Sequence, residues 1–264
     1  MIPELFHLGS ISISPFGPAM VAAFMVAWAQ LRWGLRQYDL LDEENASAIL
    51  LAAGVGGIVG AKVYYAMLYG DWHLLFSRSG LVFYGGLIGG ALAVVWAARR
   101  RNMPVLRVFD VGAPAVAIGY AIGRVGCFLV GDDFGRATNM PWGVKFPYGL
   151  PFPTTAGNMR AFGGDIDPDL PAGELLAVHP TQLYETAAGI VVLLVCRKML
   201  RSGARMGQTA VVGFALLAGE RFLVEILRAK DDRFFGPFSL AQLLSLAILA
   251  GLVILWTQLR DRRA

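Results

Sequence analysis

The run Val108–Gly131, VFDVGAPAVAIGYAIGRVGCFLVG, decides the architecture of this chain. Its 24 residues carry two ionised side chains, Asp110 near one end and Arg124 near the other. As a helix the run is about 36 Å long, enough to cross the hydrocarbon core of a bilayer. It is too long and too continuous for a barrel strand, and in lipid only helices and closed barrels satisfy the backbone. Six further apolar segments of comparable length flank it, at Phe16–Leu35, Ala46–Tyr69, Leu81–Ala98, Pro180–Leu200, Gly207–Leu227 and Phe238–Leu259. With 56% hydrophobic and 16% charged residues in 264, and a mean hydropathy of +0.56, the whole chain fits an all-α integral membrane protein of seven transmembrane helices. The pattern predicts one membrane domain over residues 1–264, multi-pass.

Orientation follows from the basic residues of the short connections. One side collects Arg32, Arg36, Arg99, Arg100, Arg101, Arg107, Arg197, Lys198, Arg201, Arg205, Arg260, Arg262 and Arg263. The other has Arg78, Arg136, Lys145, Arg160, Lys230 and Arg233, scattered through longer loops rich in acid. This asymmetry predicts an N-terminus outside and a C-terminus in the cytoplasm. The net charge of +4 is then a topology signal, and neither nucleic acid nor nucleotide is an expected partner. The first segment lacks a basic stretch before it and is long for a cleaved signal, so it reads as a retained span. Cys127 and Cys196 fall near opposite faces of the membrane, beyond disulfide reach.

Most connections are short. The exception is Asp132–Val178, 47 residues dense in Pro, Gly and Asp, read as a small extracytoplasmic cap. Glycines at 54, 56, 57 and 60, and at 85, 86, 89 and 90, suit close approach of two helix backbones.

Charges within spans are costly and mark function by default. Counting inward from the outer span ends, Arg124, Arg221 and Lys62 lie roughly 10 Å deep and Glu185 about 9 Å. Glu225 and Tyr84 lie nearer the outer surface. Asp110, at the cytoplasmic start of its span, is expected to be solvated there. One reading is a wet, cationic cavity open to the outer leaflet, lined by Lys62, Arg124 and Arg221 and balanced by Glu185, Glu220 and Glu225. The other is that these charges only pair with one another to hold helices together. Arginine forks suit phosphate, and Arg221 can pair with Glu225 one turn away. His179, opening HPTQLYE (His179–Glu185), reads on physics alone as a cap or interfacial group, with Pro180 at the first helical position. His7 and His73 are isolated, so no metal and no cofactor are expected. No phosphate-cradling glycine loop and no G-x-S-x-G elbow is present.

These residues together resemble the bacterial prolipoprotein diacylglyceryl transferase family over nearly the whole chain. The resemblance rests on FGPAMVAAF (16–24), GAKVYYAMLY (60–69), LVFYGGLIGG (81–90), GRVGCFLVGDDFGR (123–136), HPTQLYE, ERFLVEILR (220–228) and LAQLLSL (240–246). It implies an enzyme of the bacterial cytoplasmic membrane that takes phosphatidylglycerol from the outer leaflet. The diacylglyceryl group would go to the lipobox cysteine thiol of a preprolipoprotein, releasing glycerol phosphate. Arg124 and Arg221 would stabilise charge on the phosphate, with Glu225 orienting Arg221. Lys62, Asp132, Gly135, His179, Tyr184 and Glu185 would contact substrate, Gly135 by letting backbone approach the headgroup. The family usually has histidine, a plausible base, where this chain has Tyr84, and asparagine where it has Cys127. Phe16 replaces a usual tyrosine and Asp132 a usual glutamate. These departures leave two further readings open: a divergent enzyme with another acceptor or donor lipid, and a non-catalytic lipid- or peptide-binding membrane protein. A transporter fits less well, because the polar groups are one-sided and no repeat is apparent.

Overall fold

The structure, a computed structural model, describes residues 4–8, 11–40, 42–77, 82–229 and 233–261. Leu81, at the head of the third predicted span, lies outside them, as do Arg78, Lys230, Arg262 and Arg263 of the topology argument. A short antiparallel hairpin, β1 (Phe6–Leu8) and β2 (Ile11–Ile13), leads into α1 (Phe16–Arg36) and α2 (Glu43–Tyr69). After a 3-10 turn at Trp72–Phe76 come α3 (Phe83–Arg100), α4 (Val105–Val130) and the short α5 (Ala156–Ala161). Then follow α6 (Thr181–Arg201), α7 (Gln208–Glu225), a second hairpin of β3 (Arg233–Phe235) and β4 (Phe238–Ser239), and α8 (Leu240–Asp261). The seven long helices match the seven apolar segments within a few residues at each end. Three are long and apolar enough to cross a membrane on those grounds alone: Glu44–Tyr69, Val105–Val130 and Leu240–Asp261. The other four carry charge near an end or inside, as α6 does with Glu185, Arg197, Lys198 and Arg201.

Small residues decide how these helices meet. A Cβ at Gly60 would stand 2.3 Å from the Gly85 carbonyl oxygen, and one at Gly89 would stand 2.4 Å from that of Gly56. The glycines of α2 and α3 therefore bring two backbones into contact, as their spacing predicts. Helix α4 is central and meets three neighbours the same way. Gly126 faces Ala19 of α1, Gly189 of α6 faces the Ala117 carbonyl, and Gly213 of α7 lies between Ala113 and Cys196. Near the basic end, Leu31, Leu35, Ile49, Ala98, Val108, Val111 and Leu200 close one apolar core from five helices. Both cysteines are buried and free.

Asp110 corrects the expectation of a solvated carboxylate: it is fully buried. Its two oxygens accept the backbone N–H groups of Gly207 (2.8 Å) and Ala210 (2.9 Å), at the start of α7. That helix opens on Gly207 with φ +86°, a residue without a side chain to cap its own turn. The cap comes instead from α4, about a hundred residues earlier, and satisfies donors that would otherwise be orphaned. Arg107 completes the clamp, 3.3 Å from Asp110 and with its guanidinium carbon 3.8 Å from the centre of the Tyr38 ring. Asp110→Ala is expected to destabilise the fold by about 3–5 kcal/mol, because it strands Arg107 and two buried N–H groups. Thermal unfolding in detergent measures this; a midpoint unchanged from wild type would contradict it.

The 132–178 segment has a core of its own, with Phe134, Phe146, Met159 and Val178 buried. Phe134 stacks on Phe146 with centroids 5.7 Å apart. The Thr154 hydroxyl accepts from the Phe146 N–H (3.0 Å) and donates to the Leu176 carbonyl (2.9 Å), tying the segment across itself.

Candidate functional site

The site grows from the last turns of α4. The helix stops at Gly131, in the left-handed conformation at φ +73°, with its N–H on the Cys127 carbonyl at 2.9 Å. Glycine tolerates that conformation without a steric penalty. The chain then turns through Asp132 and Asp133. The Asp132 carbonyl accepts from the Gln182 amide and the Asp133 carbonyl from the Thr181 hydroxyl (2.8 Å), so the first turn of α6 fixes both residues.

Arg124, one turn above Cys127 on α4, sits between two carboxylates. Its Nε lies 3.0 Å from Glu185 Oε2 on α6, and its Nη1 2.9 Å from Asp133 Oδ2. Glu185 is fully buried, and its other oxygen accepts from the Tyr120 hydroxyl at 2.8 Å. The ring of Tyr120 lies 5.2 Å from the Arg124 guanidinium carbon, and Glu220 of α7 approaches the same hydroxyl at 3.5 Å. Asp133 takes a second arginine on its free oxygen: Arg228, just beyond α7, donates from Nη2 at 2.8 Å. Two guanidinium groups from separate elements thus converge on one carboxylate whose side chain is 41% exposed, while their own side chains are about 15% exposed. Burial pushes the Asp133 carboxyl up, but Arg228 and Arg124 together outweigh that and hold it below the usual carboxylate range.

The other sequence candidates divide into those that join this network and those that do not. Cys127 is buried, with its sulfur 3.9 Å from Arg124 Nη1. Cys127, Asp132 and Asp133 each place one ligand-type atom within 4.8 Å of the others. Such a trio is compact enough for a divalent ion, but both Asp133 oxygens are engaged by guanidinium groups that the ion would have to displace. Asp132 keeps one buried oxygen, Oδ1, without a hydrogen-bond partner among the described residues. Burial and the neighbouring Asp133 push its carboxyl up from the ordinary range. Arg221 pairs with Glu225 at 2.6 Å one turn along α7, as the spacing predicts, and the charges of Arg124, Arg228 and Arg221 all act on Glu185. His179 and Tyr184 form a separate trio with Trp142: the Trp142 Nε1 donates to the Tyr184 hydroxyl at 2.7 Å, which lies 3.2 Å from His179 Nδ1.

Lys62 lies on α2 and Tyr84 on α3. The Lys62 ammonium donates to the Ser77 carbonyl at 2.5 Å, in the loop folded back over the end of α2. None of the ion pairs of the Arg124 network reaches either residue among the described residues. Gly135 approaches the chain's own backbone closely. A Cβ there would lie 2.6 Å from the Leu227 carbonyl and 2.8 Å from both His179 and Thr181. Glycine lets this strand-like turn lie flush between α6 and the end of α7, where its N–H bonds the His179 carbonyl at 2.9 Å.

Arg228 and Asp133 were not singled out from sequence. Both sit inside quoted motifs, and the signal available was a charge at each span end with an opposite charge across the bundle. The arrangement is two guanidinium groups held in a partly dry site and closed on a carboxylate of the chain itself, a geometry that an anion such as phosphate could also take.

Residues 3–257 match the family model for prolipoprotein diacylglyceryl transferase. A phosphatidylglycerol–prolipoprotein diacylglyceryl transferase of Xylella fastidiosa strain 9a5c is 35% identical over 283 residues, covering 98% of this chain and 93% of its own. Its counterpart in Vibrio atlanticus is 30% identical over 273 residues, covering 98% and 91%. One in Aliivibrio fischeri is 28% identical over 274 residues, covering 98% and 90%. The chain belongs to the prolipoprotein diacylglyceryl transferase family.

Proposed function

We propose that this chain transfers the diacylglyceryl group of phosphatidylglycerol to the lipobox cysteine thiol of preprolipoproteins, releasing glycerol phosphate. The observation that carries this reading is the pair Arg124 and Arg228 meeting on Asp133. In the reaction the thiol sulfur attacks the glycerol carbon next to the phosphate. A carbon–sulfur bond forms, the carbon–oxygen bond to phosphate breaks, and the electron pair leaves on glycerol phosphate. A diester with one charge becomes a monoester with two, so donors aimed at the phosphate oxygens stabilise the transition state more than the ground state. Arg124 and Arg228 do this, with Glu185 and Tyr120 fixing Arg124 from behind, and Arg221 held by Glu225 adds charge on the α7 side. The thiol proton passes to Asp132, whose free buried oxygen and raised pKa suit a base. Cys127 takes a packing position beside them, and His179, Tyr184 and Trp142 face the incoming peptide.

In this reading all seven long helices cross the cytoplasmic membrane as one domain. The N-terminus is outside, the basic end is cytoplasmic, and the 132–178 cap covers the outer face. The distribution of Lys and Arg supports this. The reading is tested in bacteria depleted of their own diacylglyceryl transferase. Expression of this chain should restore lipidation of prolipoprotein; unmodified precursor, with the protein present in the membrane, would overturn it.

In this account Asp133 competes with the substrate phosphate for both arginines. Asp133→Asn removes that charge, and the KM for phosphatidylglycerol should fall about three- to tenfold. Initial rates across lipid concentration measure this, and an unchanged or higher KM would contradict it. The pH dependence has a definite sign. A carboxyl held below its usual range is ionised throughout pH 5–8, and its ion pairs are lost only as pH falls through that depressed value. Acidification to pH 5 therefore leaves the wild-type to Asp133→Asn ratio of KM unchanged.

A further inference from the structure

We infer that α6 carries a second lipid site, a seat for the headgroup of an anionic phospholipid at the basic end of the bundle, remote from the Arg124 network. A recess of about 620 Å³ lies there, lined by Leu194, Arg197, Lys198, Arg201 and Ser202. The residues at 194, 197, 198 and 201 share one helical face, with the apolar member toward the membrane interior and three cations stacked beyond it. None of the three cations pairs with a carboxylate among the described residues. Two of them are nonetheless held by an aromatic ring. The guanidinium carbons of Arg197 and Arg201 lie 4.5 and 5.5 Å from the centre of one indole, Trp33 of α1. Stacking on a shared ring fixes two forks side by side and lowers the entropy lost on binding. Leu194 is 60% exposed and offers a surface to the first acyl carbons.

An excess of cations at this end sets topology and by itself needs no site. The concavity, the missing counter-ions and the shared indole go beyond that requirement. They match a headgroup carrying phosphate above an apolar chain, bound along α6 at the leaflet surface. A similar recess on α3, with Arg100 over Trp96, repeats the pattern less fully, with one stacked cation. The inference rests on the membrane reading for which leaflet it meets, and not on the transfer reaction.

The test uses the purified full chain in mild detergent with added cardiolipin, read by native mass spectrometry, alongside the triple variant Arg197→Gln, Lys198→Gln, Arg201→Gln. Phosphatidylcholine is the zwitterionic control and inorganic phosphate the competitor. The wild type is expected to retain cardiolipin where phosphatidylcholine is stripped, with affinity on the order of a hundredfold weaker in the triple variant. Equal retention by both proteins would overturn the site. Displacement of cardiolipin by millimolar inorganic phosphate would also overturn it, since the ligand would then be the free anion. Transfer activity is assayed on the same preparations and should be preserved in the triple variant. Loss of transfer from the wild type would strike the proposed function alone.

Discussion

Arg124→Ala is expected to lower kcat/KM for diacylglyceryl transfer by at least about a thousandfold. Removal of one preorganised donor to a developing oxyanion costs on the order of 10²–10³ in rate. Here the loss is compounded. Arg124 is the only cation at ion-pair distance from Glu185 among the described residues, and Glu185 is fully buried. An uncompensated buried charge costs about 3–5 kcal/mol, so a drop in thermal midpoint should accompany the drop in rate. Arg124→Lys separates the two contributions. A lysine restores charge near one carboxylate but cannot hold both at once, because it lacks the planar fork. It should recover most of the stability and little of the rate. Steady-state rates and thermal melts on the three proteins check this; an Arg124→Ala enzyme within tenfold of wild type would contradict the role assigned here.

Glu185→Ala carries the second large effect, for a different reason. Glu185 is a positioning residue: its oxygens meet Arg124 Nε and the Tyr120 hydroxyl, and it faces no solvent. Without it Arg124 keeps Asp133 as its remaining ion-pair partner and can follow it outward, so about a hundredfold should be lost from kcat with a smaller change in KM. A purely structural residue would lower the yield of folded protein and leave kcat per folded molecule unchanged. Glu185→Gln keeps the Tyr120 contact and the volume, and its kcat should lie between alanine and wild type. Equal kcat in all three folded proteins would remove Glu185 from the account.

The helices were legible because a long, continuous apolar run with few breakers reads as one helix, and seven long helices stand within a few residues of the seven apolar segments. The Arg221–Glu225 pair was equally legible, since four residues along a helix fix a contact. Contacts between helices were read less well. The glycine faces of α2 and α3 bind those helices to each other, and Lys62 donates to Ser77, a contact that counting along one helix does not give. From the sequence Asp110 is free to reach water, and the reason it does not is Gly207, an uncapped helix start on a distant segment. The Arg228–Asp133 pair spans 95 residues and depends on the mutual register of α4 and α7. No periodicity within one helix encodes that register. Gly135 meets the Leu227 carbonyl and the side chains of His179 and Thr181, a contact that likewise depends on the register of distant segments.

The most direct measurement follows a lipobox peptide and glycerol phosphate together, using purified protein, phosphatidylglycerol vesicles and one reaction mixture. The account predicts that the peptide gains one diacylglyceryl group on its cysteine for each glycerol phosphate released, and that both products vanish in Arg124→Ala. Glycerol phosphate released in excess of modified peptide, or peptide modified at the wild-type rate by the Arg124→Ala protein, would contradict it.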